Sequence, residues 1–251
     1  MLRMVMQTDK RRIVDANTVF GAYPKRKTDV SLKNLLKIMD VNRVEKALTT
    51  SLKGAFYSYE EGNEETLKAC RANNRLIPLA TVDPRRFAGD RGEIENLVGS
   101  GFKGIRLFKD IQGYPLDYSP LIEIIESMNG LGVPLLVPCN EYGCITLLSR
   151  LTAGKEYPVI VLGCTYSLLS EFIVSARRNR NLYVETRLLT SSDAIEVLAE
   201  KVGADRLIFG SGILLEYFQA SYRMVESARI RDEDKDLILS GNILRIIKEA
   251  C

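Results

Sequence analysis

The chain has 251 residues, of which 46% are hydrophobic and 27% charged, and its formal net charge is +3. This length suits one α/β domain, which we expect to span residues 1–251, and so small a positive charge argues against a nucleic-acid partner. No apolar run approaches the roughly 20 residues that cross a bilayer, and residues 1–12 are too polar for a signal peptide, so we expect a cytoplasmic protein without membrane association.

Short apolar runs alternate with amphipathic segments along the chain. Eight of these runs are predicted strands, and they cover residues 13–21, 44–49, 76–82, 103–108, 133–137, 158–163, 181–186 and 206–211. Most are nearly continuous apolar stretches, which is typical of parallel strands that are buried on both faces. Pro78 in the third run is unusual, because proline cannot donate a hydrogen bond to a strand ladder.

Apolar residues at helical spacing fill the intervals between these strands. The predicted helices cover residues 31–39, 63–71, 89–100, 119–131, 144–152, 168–178, 191–202, 217–228 and 232–251, with a break at Gly241. Ser31 is a predicted N-cap, and Ser119 followed by Pro120 is a typical helix start. Residues 57–62 are polar and aromatic, and we expect them to form a loop.

Eight strands that alternate with helices predict an α/β fold of the single (β/α)8 TIM-barrel type. A doubly wound open sheet is the alternative, but no glycine-rich phosphate-binding fingerprint follows any strand. In a barrel the active site lies at the C-terminal ends of the strands. Residues just beyond each strand are therefore the candidates for chemistry.

Six segments, in this order, carry a resemblance to a known family. They are residues 13–21 (IVDANTVFG), 79–84 (LATVDP), 101–107 (GFKGIRL), 131–137 (LGVPLLV), 205–211 (DRLIFGS) and 241–245 (GNILR). The set resembles the amidohydrolase superfamily, in particular the amidohydrolase-related branch that includes aminocarboxymuconate-semialdehyde decarboxylase. The resemblance implies a TIM barrel related to metal-dependent hydrolases and decarboxylases.

The same resemblance implies that the metal ligands of the family are substituted in this chain. At the corresponding positions stand Asn17, Val19, Pro138 or Cys139, Cys164 and Gly212, and Phe108 replaces a frequent histidine. A hydrolytic zinc site needs about three protein ligands, and this chain contains no histidine at all. We therefore expect no metal and no cofactor, and the ordinary mechanism of the family should be absent.

The cysteines leave several interpretations open. They are Cys70, Cys139, Cys144, Cys164 and Cys251, an odd number at irregular spacings that predicts free thiols. Cys139, Cys144 and Cys164 follow predicted strands near the barrel mouth and can hold a soft metal ion. Asp15 or Glu141 would complete the ligand set. Simple packing of small buried thiols is the favoured interpretation. A cysteine nucleophile is the other alternative, and it requires Arg106, Lys109 or a helix N-terminus to lower the thiol pKa.

Charged residues at the strand ends give the remaining candidates. Asp15 and Glu185 can form a catalytic carboxylate pair, with Cys164 as the third catalytic candidate, although each carboxylate has an equally simple structural interpretation. Arg106 can bind an anionic ligand or form an ion pair with Glu185. The predicted ligand-binding residues are Asn17, Arg106, Cys139, Glu141 and Ser211.

These observations predict a degenerate amidohydrolase-like barrel that serves as a metal-free binding or assembly module. Its expected partners are a small-molecule ligand in the barrel mouth and a second copy of the chain or another complex subunit. The alternative is a hydrolase or a decarboxylase-like carbon–carbon lyase, whose rebuilt site would consist of Asp15, Cys139, Cys164 and Glu185. A small-molecule sensor is a third possibility, which the sequence does not separate from the first.

Overall fold

The computed structural model describes residues 11–24 and 27–249, so the expectations drawn from residues 1–10 and from Cys251 lie outside these ranges. Eight parallel strands follow one another in chain order. They are β1 (Val14–Phe20), β2 (Lys46–Ser51), β3 (Leu76–Pro78), β4 (Ile105–Arg106), β5 (Leu135–Pro138), β6 (Val159–Leu162), β7 (Leu182–Glu185) and β8 (Leu207–Ile208).

Helices separate these strands and follow β8. They are α1 (Leu32–Asn42), α2 (Lys53–Phe56), α3 (Tyr59–Ala72), α4 (Arg91–Gly99), α5 (Lys109–Gln112), α6 (Ser119–Ser127), α7 (Cys144–Leu151), α8 (Leu169–Arg178), α9 (Ala194–Lys201), α10 (Phe218–Ser227), α11 (Asp232–Asp236) and α12 (Asn242–Ile246). Short 3-10 turns occupy Tyr166–Leu168 and Ala204–Arg206. None of the described helices is both long enough and apolar enough to cross a membrane.

The strands pair in sequence order to form the predicted (β/α)8 barrel. Two ladders, β1-β2-β3 and β4-β5-β6-β7-β8, are joined by a parallel bridge between Ala80 and Ile105. At the other seam, the Ala16 N–H donates to the Phe209 carbonyl at 2.9 Å, which ties β1 to the end of β8 without a continuous ladder. A doubly wound sheet would reverse its strand order partway, whereas this order is sequential throughout.

The inside of the barrel is apolar, and the C-terminal helix covers the end at which the strands begin. One buried cluster combines residues of seven strands, among them Val14, Leu48, Leu136, Ile160 and Ile208. Ile243 and Leu244 of α12 belong to the same cluster, and Lys46 at the start of β2 forms an ion pair with Glu249. The C-terminal helix therefore covers the N-terminal ends of the strands, and the opposite end forms the mouth.

Local structure differs from expectation in two places. The loop predicted over residues 57–62 is wrong, because α3 already begins at Tyr59, where the Ser58 hydroxyl accepts the N–H of Glu61 at 3.2 Å. Acidic side chains in this first turn favour the helix N-terminus. The break predicted at Gly241 is also wrong, because residues 237–241 form a π-helical turn that connects α11 to α12.

A buried asparagine fastens α3 to the sheet. Asn63 Nδ2 donates to the carbonyl of Thr81 and Oδ1 accepts the N–H of the same residue, each at 2.9 Å. We predict that Asn63→Ala lowers the free energy of unfolding by about 2–4 kcal/mol, because it leaves two buried backbone groups unpaired. Urea unfolding measures this loss. The exposed Asn96→Ala on α4 should change stability by less than about 0.5 kcal/mol, and equal losses in the two variants would contradict the assignment.

Candidate functional site

A cavity of about 170 Å³ opens at the C-terminal ends of the strands, and we call it the arginine cavity. Its polar lining consists of Asn17 on β1, Arg106 on β4, Asp110 on α5 and Arg187 just after β7. The rest of the lining is formed by Val19, Leu52, Phe108, Ile111, Pro138, Leu162, Gly212 and Leu215. Two guanidinium groups thus face a largely apolar space.

Arg106 is held from two sides but keeps a free donor. Its Nη1 donates to the Thr18 carbonyl at 3.1 Å, and its guanidinium carbon lies 4.9 Å from the centre of the Phe108 ring. Its Nε is buried and has no hydrogen-bond partner among the described residues. Burial lowers the pKa of Arg106 to about 10, and the nearby charge of Arg187 lowers it as well. Arg106 nevertheless remains a cation at neutral pH.

Among the described residues, the ionic partners of Arg187 lie at long range. Its Nε lies 3.9 Å from Oε2 of Glu185, and its Nη1 lies 3.7 Å from Oε1 of Glu216. Both separations exceed hydrogen-bond length, and Arg187 Nε is buried without a hydrogen-bond partner in the part of the chain that the structure describes. The guanidinium is therefore held by ionic contacts alone and not by hydrogen bonds to these carboxylates.

Glu185 lies behind these groups and is fully buried. Its Oε1 accepts the backbone N–H of Arg187 at 2.8 Å, and its Oε2 accepts that of Gly163 at 3.4 Å. Burial raises the pKa of Glu185 to about 7, although Arg187 and the hydrogen bonds oppose this shift. Gly210 provides the necessary room, because a Cβ there would lie 2.5 Å from Cγ of Glu185.

The Asp15 carboxylate accepts hydrogen bonds that hold two parts of the chain together. Its Oδ1 accepts the N–H groups of Asn17 at 3.0 Å and of Ser211 at 3.1 Å, and the Ser211 hydroxyl donates to Oδ2. That hydroxyl in turn accepts the N–H of Ile213 at 3.1 Å. Burial raises the pKa of Asp15 to about 6, against the lowering effect of these hydrogen bonds and of Arg106. Asp15 and Ser211 therefore join β1 to the segment after β8.

The predicted catalytic and ligand-binding residues converge only in part. Asn17 and Arg106 line the arginine cavity, whereas Cys164, Cys139 and Glu141 do not. Cys164 is buried, its thiol donates to the Thr165 carbonyl at 3.7 Å, and burial raises its pKa to about 12. Glu141 is exposed and lines a different groove.

The carboxylate pair predicted from Asp15 and Glu185 is not formed as one unit. Asp15 is bound by Ser211, while Glu185 is bound by Gly163 and Arg187. The ion pair considered as one alternative for Arg106 and Glu185 is not formed within 4.0 Å; among the described residues the cation at that distance is Arg187, and Glu185 acts on Arg106 through its charge at longer range. Arg187 was missed by sequence reasoning, although a charged residue just past a barrel strand is a signal that could have found it.

The residues at the mouth do not fit a catalytic divalent metal. Four positions that the resemblance gives to metal ligands, Asn17, Val19, Pro138 and Gly212, line the arginine cavity, and Val, Pro and Gly offer no side-chain donor. A Cβ on Gly212 would lie 2.3 Å from Cδ of Arg187, so the arginine fills the space from which a ligand at this position would extend. Among the described residues, no group of three or more His, Cys, Asp or Glu side chains could hold a metal ion.

Solved structures with a similar fold include three decarboxylases. The 5-carboxyvanillate decarboxylase LigW from Sphingomonas paucimobilis has a TM-score of 0.77 and 14% identity, with 96% of this chain and 100% of that chain covered. The 2,6-dihydroxybenzoate decarboxylase from Rhizobium has a TM-score of 0.74 and 14% identity, with coverages of 95% and 99%. A 5-carboxyvanillate decarboxylase from Novosphingobium aromaticivorans, solved with manganese, has a TM-score of 0.74 and 15% identity, with coverages of 95% and 96%.

At such low identities these similarities establish the fold alone. No curated protein matches the sequence significantly. A family model described as amidohydrolase, however, matches residues 53–248, which is well over half of the chain. This match confirms the resemblance seen in the strand segments. The chain belongs to the amidohydrolase family.

Proposed function

We propose that the arginine cavity binds a small organic carboxylate and does so without a metal ion. One observation carries the proposal. Two guanidinium groups line the same cavity, and Arg106 and Arg187 each keep a buried Nε that has no hydrogen-bond partner among the described residues. A carboxylate in the cavity would accept hydrogen bonds from the terminal nitrogens of the two guanidinium groups and would offset two like charges.

The charge balance around the cavity supports an anionic ligand. At neutral pH Glu185 offsets the charge of Arg187 only in part, because burial raises its pKa to about 7, although Asp15, with a pKa near 6, is mostly ionised and Glu216 lies 3.7 Å from Arg187. Asp110, the acidic residue on the lining, forms an ion pair with Lys109 at 3.2 Å. The cavity therefore keeps a positive character that complements a carboxylate.

The size and the walls of the cavity restrict the rest of the ligand. An apolar cavity of about 150 Å³ binds benzene, so about 170 Å³ suits a single ring or a short branched chain. Phe108, Leu162 and Leu215 supply apolar contacts for such a group. A nucleotide or a long acyl chain would not fit into this volume.

A decarboxylase-like carbon–carbon lyase is the second candidate function, and Glu185 is the residue that favours it. The carboxylate of the substrate would leave as CO₂, and the electron pair of the broken carbon–carbon bond would take up a proton from Glu185. With a pKa near 7, this buried group holds a proton for much of the time at neutral pH. It lies behind Arg187 and Asn17, so proton delivery requires Arg187 to turn toward the ligand. The likeness to three decarboxylases supports this candidate through the fold alone.

We extend the proposal to the compartment of the protein, which we infer to be the cytoplasm. Cys70, Cys139, Cys144 and Cys164 carry free thiols. Free thiols are typical of a reducing compartment such as the cytoplasm.

Carboxylate binding is tested by calorimetry on chelator-treated protein with 2,6-dihydroxybenzoate as the probe. We predict that the acid binds, that its neutral amide does not, and that Arg187→Gln weakens binding at least tenfold. The expected loss reflects a charge-assisted hydrogen bond worth about 1.5–3 kcal/mol.

The matched control is Arg177→Gln, because Arg177 is exposed on α8 and does not line the arginine cavity. This variant should bind like the parent chain. Equal affinity for the acid and the amide would contradict the proposal, as would binding that disappears with chelation and returns with manganese.

Turnover distinguishes the second candidate from simple binding. The lyase predicts that chelator-treated protein releases CO₂ and 1,3-dihydroxybenzene from 2,6-dihydroxybenzoate, and that Glu185→Gln lowers kcat by about 100-fold while the acid still binds. A protein that binds the acid and yields no product would reject the lyase and leave carboxylate binding as the function.

The buried carboxyl groups also predict a pH-dependent stability. Their pKa values rise from 3.8 to about 6 for Asp15 and from 4.5 to about 7 for Glu185, so the folded chain holds more protons than the unfolded chain in this range. The contribution of each group to the free energy of unfolding is therefore present at low pH. It falls by about 1.4 kcal/mol per unit as the pH rises between its two pKa values.

Urea unfolding between pH 5 and 7 measures this effect. Glu185→Gln should reduce the loss of stability over this interval relative to the parent chain, since the neutral amide does not titrate. The exposed Glu123→Gln should leave the slope unchanged. Parallel slopes for the parent chain and Glu185→Gln would show that Glu185 titrates alike in the folded and unfolded states.

A further inference from the structure

The arginine cavity carries an acidic side chain as well as two basic ones. Asp110 of α5 lines it together with Arg106 and Arg187. Oδ1 of Asp110 lies 3.2 Å from Nζ of Lys109, and the Asp110 side chain is 39% exposed. A carboxylate has two oxygens with about four lone-pair sites. The ion pair with Lys109 therefore leaves Asp110 able to accept hydrogen bonds from a second cation.

Lys109 holds this carboxylate from outside the arginine cavity. The Lys109 side chain is only 8% exposed and lines a separate recess of about 340 Å³, and it does not line the arginine cavity. Asp110 borders the arginine cavity, whereas its cationic partner does not. The ion pair thus keeps a negative charge at one wall of a cavity whose other charged groups are guanidinium groups.

The acidic and basic groups belong to one short segment of the chain. Arg106 lies on β4 and Asp110 on α5, four residues later, and Phe108 stands between them in sequence. The guanidinium carbon of Arg106 lies 4.9 Å from the centre of the Phe108 ring, and all three side chains line the same cavity of about 170 Å³. A ligand that matches both charges in so small a space carries its own opposite charges close together. An α-amino acid does so, because its ammonium and carboxylate groups are bonded to the same carbon atom.

We infer that the ligand of the arginine cavity is an α-amino acid with an apolar side chain. Its carboxylate faces the two guanidinium groups, its ammonium faces Asp110, and its side chain lies against the apolar lining formed by Leu162 and Leu215. This inference rests on the proposed carboxylate binding and names the class of carboxylate. Asp110 is then the residue that distinguishes an amino acid from an acid without an amine, and the latter binds more weakly.

The test is calorimetry on chelator-treated full chain with three compounds of one carbon skeleton. L-Leucine carries both charges, 4-methylpentanoate lacks the amine, and 3-methylbutylamine lacks the carboxylate. We expect leucine to bind about tenfold more tightly than 4-methylpentanoate, which corresponds to one charge-assisted hydrogen bond. The amine alone should not bind measurably, because the two arginines repel it. Asp110→Asn should bind leucine and 4-methylpentanoate with equal, measurable affinity.

The matched control is Asp117→Asn, because Asp117 is exposed and does not line the arginine cavity. This variant should keep the tenfold preference for leucine. Equal affinity of the parent chain for leucine and 4-methylpentanoate would overturn the inference and leave carboxylate binding intact. A preference for leucine that survives in Asp110→Asn would overturn it as well. If neither of these compounds nor 2,6-dihydroxybenzoate binds to the parent chain, the proposed carboxylate site itself fails, and the inference fails with it.

Discussion

The packing of Arg187 against Gly212 fixes the shape and the lining of the barrel mouth. A Cβ at residue 212 would come within 2.3 Å of Cδ of Arg187, and the φ of Gly212 is +66°, a conformation that favours glycine. The aliphatic stem of Arg187 thus takes the space from which a longer side chain at residue 212 would extend. Arg106 adds a second fixed cation in the same cavity. The cations on the cavity lining are thus two arginine side chains.

The same residues hold the seam between the first and last strands. β1 and β8 share no continuous ladder, and Asp15 on β1 binds both the N–H and the hydroxyl of Ser211 after β8. The N–H of Gly212 donates to the Asn17 carbonyl at 3.0 Å nearby. Polar groups of the mouth therefore connect the first and last strands, whereas neighbouring strands elsewhere in the barrel are connected by ladder hydrogen bonds. This explains why Asp15 is buried and has hydrogen-bond partners on both carboxylate oxygens.

The fold followed from the sequence because its signals were local and repeated. The apolar run at residues 13–21 gave β1, and the Ser31 cap gave the start of α1, with its hydroxyl accepting the N–H of Asn34 at 3.2 Å. The start of α3 was misplaced because Ser58, a single capping residue, outweighed the loop-like composition after it. The site was only partly predictable, since it depends on contacts across the barrel. The Arg187 side chain packs against Gly212, which lies 25 positions later in the sequence. No local sequence pattern indicates that these two residues are close.

The most direct test of the account is a crystal structure of the chain grown with 2,6-dihydroxybenzoate and manganese, with data collected at the manganese absorption edge. The account predicts that the carboxylate lies between Arg106 and Arg187, within hydrogen-bond distance of both guanidinium groups, and that no anomalous signal appears in the arginine cavity. A manganese peak in the cavity, with Arg187 displaced from Gly212, would contradict the central claim that arginine side chains have taken the place of the metal.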